Sequence, residues 1–436
     1  MNVKEILALI KTYSFFNGAG VFESAAAFAF SNYLIKRYKR FRVVVGDGIT
    51  GRIGIKMAKM LNAEIERINN KIEEEALPIR KSGKKCTVDC VNGIDMKEDY
   101  GDLQIEGDLI SIGFPSFVNR KRLEPKLTLC INEVPEEMKG KAVPIRIIPE
   151  IFKNIAGVGD LFLSYKERGR EDDKNSSRVL IIGGSRDYHG GEVHAANAAY
   201  NALAALRTGA GYVTLAVPSF LKEKIMNYSQ NLVIKGCGED HIEFNETMKK
   251  EIERAQVVCI GMALGEEAKE EAKRAINYAV RCKKKVICDA EAIDACKDIK
   301  SKEILITPNK REFERYLGFK YEEDIGKRIA ETKKASLLLN KCILLKGSKT
   351  IICDGERFKV NVYSSQSLAT MGSGDVLSGI ISALSTKSDL FASACGGAFL
   401  HGFLGKLLEK RYGSHIIAKD IEEAVPMGFK LLSKYQ

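Results

Sequence analysis

Residues 178–218 read RVLIIGGSRDYHGGEVHAANAAYNALAALRTGAGYVTLAVP. The stretch opens on an unbroken apolar run (178–184) and turns through paired glycines. It then passes along a helix-length, alanine-rich segment (193–207) and closes on a second apolar run (212–218). Strand, loop, helix and strand in this order make one βαβ unit. Neither strand alternates apolar with polar residues, which is the pattern of strands covered on both faces. The same rhythm continues outward. Strands are expected at RVVVG (42–46), VVCIG (257–261), KVICDA (285–290), EILITP (303–308) and CILLKG (342–347), with helices at 267–281 and 310–317. Together these predict an α/β protein built on a mostly parallel sheet in three layers, α/β/α.

A chain of 436 residues exceeds what one hydrophobic core usually supports, so two domains are expected. The polar tract ERGREDDKNSS (167–177) reads as an exposed loop, and IRIIPEIFKNI ahead of it as a strand end or short helix. The boundary is therefore placed near residue 149, dividing the chain into 1–148 and 149–436. The formal net charge of +11 is scattered rather than blocked. It fits an anionic substrate or a basic cytoplasmic protein better than a nucleic-acid partner. Eleven cysteines form no CxxC pair, and Cys259, Cys288, Cys342 and Cys353 sit inside apolar runs. This usage suits a reducing compartment, without a disulfide framework or structural zinc. Apolar runs such as ESAAAFAF fall short of the ~20 residues that span a bilayer, and the N-terminus lacks a signal-peptide pattern. The expectation is a cytoplasmic protein with no membrane partner.

The stretch TMGSGDVLSG (370–379) carries the chemistry. After Asp375, the apolar residues Val376, Leu377, Ile380, Ile381 and Leu384 fall on one helical face, so the glycines stand at a helix N-terminus. Free amides and the helix dipole there favour an anion, and glycines let it approach the bare backbone. Helix capping explains part of the aspartate's placement. It does not explain three glycines around it, whereas a carboxylate beside a bound phosphate is placed to take a proton from an attacking hydroxyl. LLKGSKTIICDGERFKVN (344–361) reads as a strand, a turn at Gly347 and a hairpin about Asp354-Gly355. Lys346, Asp289, Thr307 and Asn309 then all follow strand ends, the edge where open α/β sheets bind ligands.

With TPNKREFERYLG, LLKGSKT, LATMGSGDVLSGIISAL and FLHGFLGKLLEKRYGSHIIAKDIEEAVP, the 178–218 stretch resembles the ADP/ATP-dependent NAD(P)H-hydrate dehydratases, over roughly 150–430. The resemblance implies a ribokinase-like fold. It also implies a reaction in which ADP or ATP phosphorylates the hydroxyl of a hydrated nicotinamide ring and phosphate then leaves, returning NADHX or NADPHX to NADH or NADPH. It implies Asp375 as general base and a nucleotide site formed by Lys346, Gly347, Ser348, Lys349, Thr350, Thr370, Met371, Gly372, Ser373 and Gly374. Gly184, Ser185, Tyr188, Gly190, Gly191, Gly265, Asn309 and Asp375 would contact the hydrated coenzyme, and Mg2+ would accompany the nucleotide. Two departures stand out: GMALG (261–265) for the family's GLG turn, and Asn309-Lys310-Arg311-Glu312 for its HPGE, without the histidine.

In 1–148, VVVGDGITGRIGIKMAKML (43–61) and TVDCVNGIDMKEDYGDLQIEGDLISIGFPS (87–116) resemble the glycine loop and later aspartate segment of NAD(P)H-hydrate epimerases, a doubly wound, Rossmann-like α/β domain. Ile49, Thr50 and Ile53 replace the family's polar residues, and only about 25 residues separate the segments, too few for the usual intervening units. This half is expected to be shortened and inactive as an epimerase, although Gly46, Gly48 and Gly51 would still suit a nucleotide. A ribokinase-type small-molecule kinase and a non-catalytic nucleotide-binding scaffold are the alternative functions, and a homo-oligomer the expected assembly.

Overall fold

The computed structural model describes residues 3–38, 40–45, 49–61, 63–67, 85–90, 108–112, 117–118, 121–122, 125–131, 142–145, 147–167, 169–186, 191–227 and 229–435. The chain forms two compact units, Met1–Lys153 and Asn154–Gln436.

The first unit contains a six-stranded sheet in the order Glu64–Arg67, Arg40–Val45, Lys85–Cys90, Asp108–Ile112, Leu127–Ile131, Ala142–Ile145. Every neighbouring pair is parallel. The chain first steps outward from Arg40–Val45 to Glu64–Arg67, then returns past it to Lys85–Cys90. This reversal defines a doubly wound sheet. Val43, Val45, Val88, Ile110 and Leu129 share a core with Phe22 and Phe30 of helix Ala19–Ile35 and Ile53 and Met57 of helix Ile49–Leu61. Buried Glu23 joins those two helices through Arg52 (2.6 Å) and Lys56 (3.4 Å). Gly51 lies inside the second helix, while Gly46, Gly48, Gly93 and Asp95 fall outside the described residues.

The second unit contains a nine-stranded sheet: Val233–Gly236, Tyr212–Val217, Arg178–Ile182, Val257–Ile260, Lys285–Cys288, Ile304–Ile306, Cys342–Leu345, Thr350–Cys353, Phe358–Asn361. The first seven are parallel and the last two form an antiparallel hairpin about Asp354-Gly355. Successive strand residues feed opposite cores: Val179 and Ile181 join one, Leu180 and Ile182 the other. Cys259 and Ile260, or Leu344 and Ile343, divide likewise. Two helical layers therefore sandwich the sheet, and the unbroken apolar runs are its direct consequence. The expected helices form at Gly191–Arg207, Lys269–Arg281 and Lys310–Arg315. The segment 145–155 ends the strand Ala142–Ile145 and then makes the 3-10 turn Glu150–Asn154. All the cysteines are buried except Cys282, which is half-buried. Among the described residues, Leu390–Tyr412 is long and apolar enough to cross a membrane, but 72% of its apolar window is buried inside the protein, as in a core helix.

Candidate active site

The helix Ser373–Ser385 begins at Gly372, whose φ of +80° places it in the left-handed region that glycine adopts without strain. Gly372 is the N-cap and offers no side-chain bond, so Asp375, three residues on, is not the capping residue that the sequence suggested. Its carboxyl is left for other work. Burial, and then the charge of Asp289, raise its pKa to about 8, against the opposing pull of Lys346. Of the three amides expected to meet a phosphoryl group, that of Ser373 already donates to the Thr370 carbonyl (3.3 Å). Gly374, at the second helical position, has no partner within the helix.

Strand ends supply the remaining groups. Lys346 follows Cys342–Leu345, and its Nζ donates to Asp289 Oδ1 (2.9 Å), just after Lys285–Cys288. Glu312 lies 3.7 Å away from the same ammonium. The other Asp289 oxygen accepts from Ser378 Oγ (2.8 Å), one helical turn beyond Asp375. Asp289 thereby ties the lysine to the helix Ser373–Ser385. A Cβ built on Gly374 would lie 3.6 Å from Lys346 Nζ and 3.8 Å from Asp289 Oδ2, so the ion pair sits directly against the glycine turn. Burial penalises all three charges. For Asp289 the lysine and hydrogen bonds from Lys346, Ser378 and Thr307 outweigh that penalty and lower its pKa. For Lys346 the carboxylates win and raise it. Glu312, mainly through burial, is pushed up despite Lys346. The Lys346 ammonium therefore stays charged beside a helix N-terminus whose Gly374 amide has no partner within the helix, an arrangement that accepts a phosphate.

Backbone hydrogen bonds tie the loops along the same edge to one another. Gly184 N donates to Met262 O (2.8 Å), Asp289 N to Ile260 O (3.0 Å) and Lys346 N to Pro308 O (2.8 Å). Ser185 is fully buried and its Oγ has no hydrogen-bond partner among the described residues. Gly265, at φ +74°, closes the 261–265 turn. Gly347, Ser348 and Lys349 are exposed, and Thr350 begins the hairpin with its hydroxyl on Gly347 O (3.2 Å). Thr370 is half-buried and Met371 is 74% exposed at the mouth of the turn. Asn309 is exposed, and its side-chain oxygen caps Lys310–Arg315 by accepting from Glu312 N (3.0 Å). Lys310 is engaged by Glu323 (2.7 Å). Tyr188, His189 and Gly190 fall outside the described residues, as does the side chain of His194, while Gly191 opens its helix. The sequence reading did not assign Ser378 or Glu312. Ser378 had a signal, since it lies three residues past Asp375 and so on the same helical face.

A profile of the NAD(P)H-hydrate dehydratase family matches residues 179–427. The bifunctional NAD(P)H-hydrate repair enzyme of Archaeoglobus fulgidus is 32% identical over 386 residues, 88% of this chain and 73% of that one. The ADP-dependent (S)-NAD(P)H-hydrate dehydratase of Cenarchaeum symbiosum is 28% identical over 63% of this chain and 96% of its own. Among solved structures, the ADP/ATP-dependent NAD(P)H-hydrate dehydratase of Bacillus subtilis, crystallised with ATP and Mg2+, superposes with a TM-score of 0.52 at 22% identity. It covers 64% of this chain and 98% of that chain. A ribokinase-like superfamily protein of Enterococcus faecalis superposes with a TM-score of 0.55 at 22% identity, covering 64% and 95%. The fold of the second unit is ribokinase-like, and the chain belongs to the NAD(P)H-hydrate dehydratase family.

Proposed function

We propose that the corner formed by Gly372–Asp375, Asp289 and Lys346 is where this family member dehydrates NADHX or NADPHX at the expense of ADP or ATP. The reading rests on one observation above others: Lys346 is held 2.9 Å from Asp289 directly beneath the Gly374 turn, beside a carboxyl poised near neutral pH. Asp375 in its ionised form takes the proton of the ring hydroxyl. The hydroxyl oxygen then bonds to the terminal phosphorus while the bridging bond to the nucleotide breaks, releasing AMP from ADP or ADP from ATP. The ring C–O bond, now to a phosphate ester, subsequently breaks with its electron pair leaving on the phosphate oxygen, and a proton leaves the neighbouring ring carbon, restoring the double bond. Gly374 and its neighbours donate to the migrating group, and Lys346 opposes its charge. Lys346–Thr350 would flank the nucleotide, and the 183–185 and 261–265 loops the coenzyme. Among the described residues no three His, Cys, Asp or Glu side chains form a ready metal site. Mg2+ accompanying the nucleotide would be held by its phosphates and by water.

The test is direct: hydrated NADH and hydrated NADPH are each incubated with ADP, with ATP or without nucleotide. Reduced coenzyme should appear only with nucleotide, with one phosphate per turnover. A stable phosphorylated product would instead indicate a kinase, and nucleotide-independent repair would refute the phosphoryl route. For Met1–Lys153 the reading is a structural remnant of an epimerase-like domain. It rests on the substitutions Ile49, Thr50 and Ile53 and on the short spacing after them. Repair of only one hydrate epimer by the full chain would support it.

A further inference from the structure

Helix Leu390–Tyr412 contributes no group to the reaction as described, yet it reaches the glycine turn through one side chain. His401 is 8% exposed, and its Nε2 lies 3.0 Å from the hydroxyl of Ser373, the first residue of the catalytic helix. Burial pushes the imidazole down to about 4, so the ring is neutral under working conditions. A buried imidazole is a costly way to fill a core that leucine or phenylalanine would fill as well, and here its polarity is spent on Ser373.

The same helix also grips the chain that leads into the turn. Asn361 Nδ2 donates to Ala398 O (2.8 Å), and Ser367 Oγ to Glu409 Oε1 (3.3 Å). Gly402, next to His401, lies so close to this strand that a Cβ there would stand 1.8 Å from Tyr363 O. One rigid helix therefore holds residues 361–367 before the turn and Ser373 after it, with the exposed Met371 between the two anchors. Amide donors stabilise developing charge only when their directions are fixed before the charge appears.

We propose that His401 is a positioning residue for phosphoryl transfer, holding Ser373 and through it the amides of the glycine turn in the geometry the transition state requires. This rests on the function proposed above. It is tested in the full-length chain with H401A, H401Q, S373A, the double variant H401A/S373A, and D375N as a control. H401A should lower kcat about 10–100-fold while leaving the nucleotide KM within about threefold, because the contact acts on the transition state rather than on ground-state binding. H401Q, which restores a polar atom near Nε2, should recover most of that loss. S373A should reproduce the loss, and the double variant should be no worse than either single one. Overturning results are a raised nucleotide KM at unchanged kcat, losses that multiply in the double variant, or failure of glutamine to rescue. If H401A does not fold, S373A decides alone, since removing one oxygen leaves the packing intact and an unchanged kcat refutes the proposal. Full turnover by D375N would instead refute the underlying function.

Discussion

The two edges of the nine-stranded sheet bury lysines in opposite ways. At the C-terminal edge, Lys346 is held by Asp289 with Glu312 nearby, and these carboxylates raise its pKa against burial. At the other edge, Lys285 donates to the carbonyls of Ser385 and Ser388 (2.8 and 2.6 Å), and Lys341 to those of Lys297 and Leu339 (3.1 and 3.3 Å). Burial lowers the pKa of both. One helix links the edges: Ser373–Ser385 carries Asp375 at its start, and Lys285 satisfies carbonyls at and beyond its end. A lysine spent on helix-end carbonyls fastens structure and complements the dipole. A lysine held by carboxylates beside open amides has partners that an incoming phosphate can replace. Buried lysines would thus serve stability at one edge and, on the function proposed above, chemistry at the other.

The sharpest way to break this contrast is to remove the proposed base. D375N should lower turnover by ~10²–10⁴ while nucleotide binding, read by calorimetry, persists. K346M should come next, with kcat/KM for the nucleotide falling on the order of 10²-fold because a charge facing the migrating group is lost. Unchanged kinetics in K346M would place this lysine with the structural pair. The pH profile follows. Asp375 must be ionised to act, so kcat/KM should fall as pH drops below about 8, roughly tenfold per unit on the acid limb. A midpoint near the ordinary aspartate value would contradict the raised pKa.

The same shift has a stability consequence. The folded-state pKa lies above the unfolded one, so the fold keeps its proton longer and stability declines as pH rises from about 4 to about 8. At pH 9 D375N should therefore be more stable than the parent, on the order of 1–3 kcal/mol in urea unfolding, discounted for partial exposure. K285M should do the reverse of the active-site variants, losing roughly 1–2 kcal/mol of stability with kcat nearly unchanged. A large kcat loss there would erase the distinction between the edges.

Most of the second unit was legible because its strands are buried on both faces, which leaves unbroken runs such as VLII and VVCI. Strands that escaped reading lack that signature. Val233–Gly236 is an edge strand, half-buried throughout, that includes Lys235 and Gly236. Ala142–Ile145 carries Pro144, which edge strands tolerate. Glu64–Arg67 sets charged residues around its single isoleucine. In the site, Asp375, Lys346 and the glycine turn were readable from local spacing. The Asp289–Lys346–Ser378 bridge and the His401–Ser373 contact were not, because they join residues 57, 89 and 28 positions apart. The capping bond of Asn309 was equally hidden, because its role as an N-cap becomes evident only with the helix it begins.

The most direct measurement is a crystal structure of the protein with a non-hydrolysable ATP analogue. The terminal phosphate should lie against the Gly374 amide, within reach of Lys346 Nζ, with Asp375 facing the coenzyme side. A terminal phosphate bound away from that turn, with Lys346 still paired only to Asp289, would contradict the assignment of this corner as the site of phosphoryl transfer.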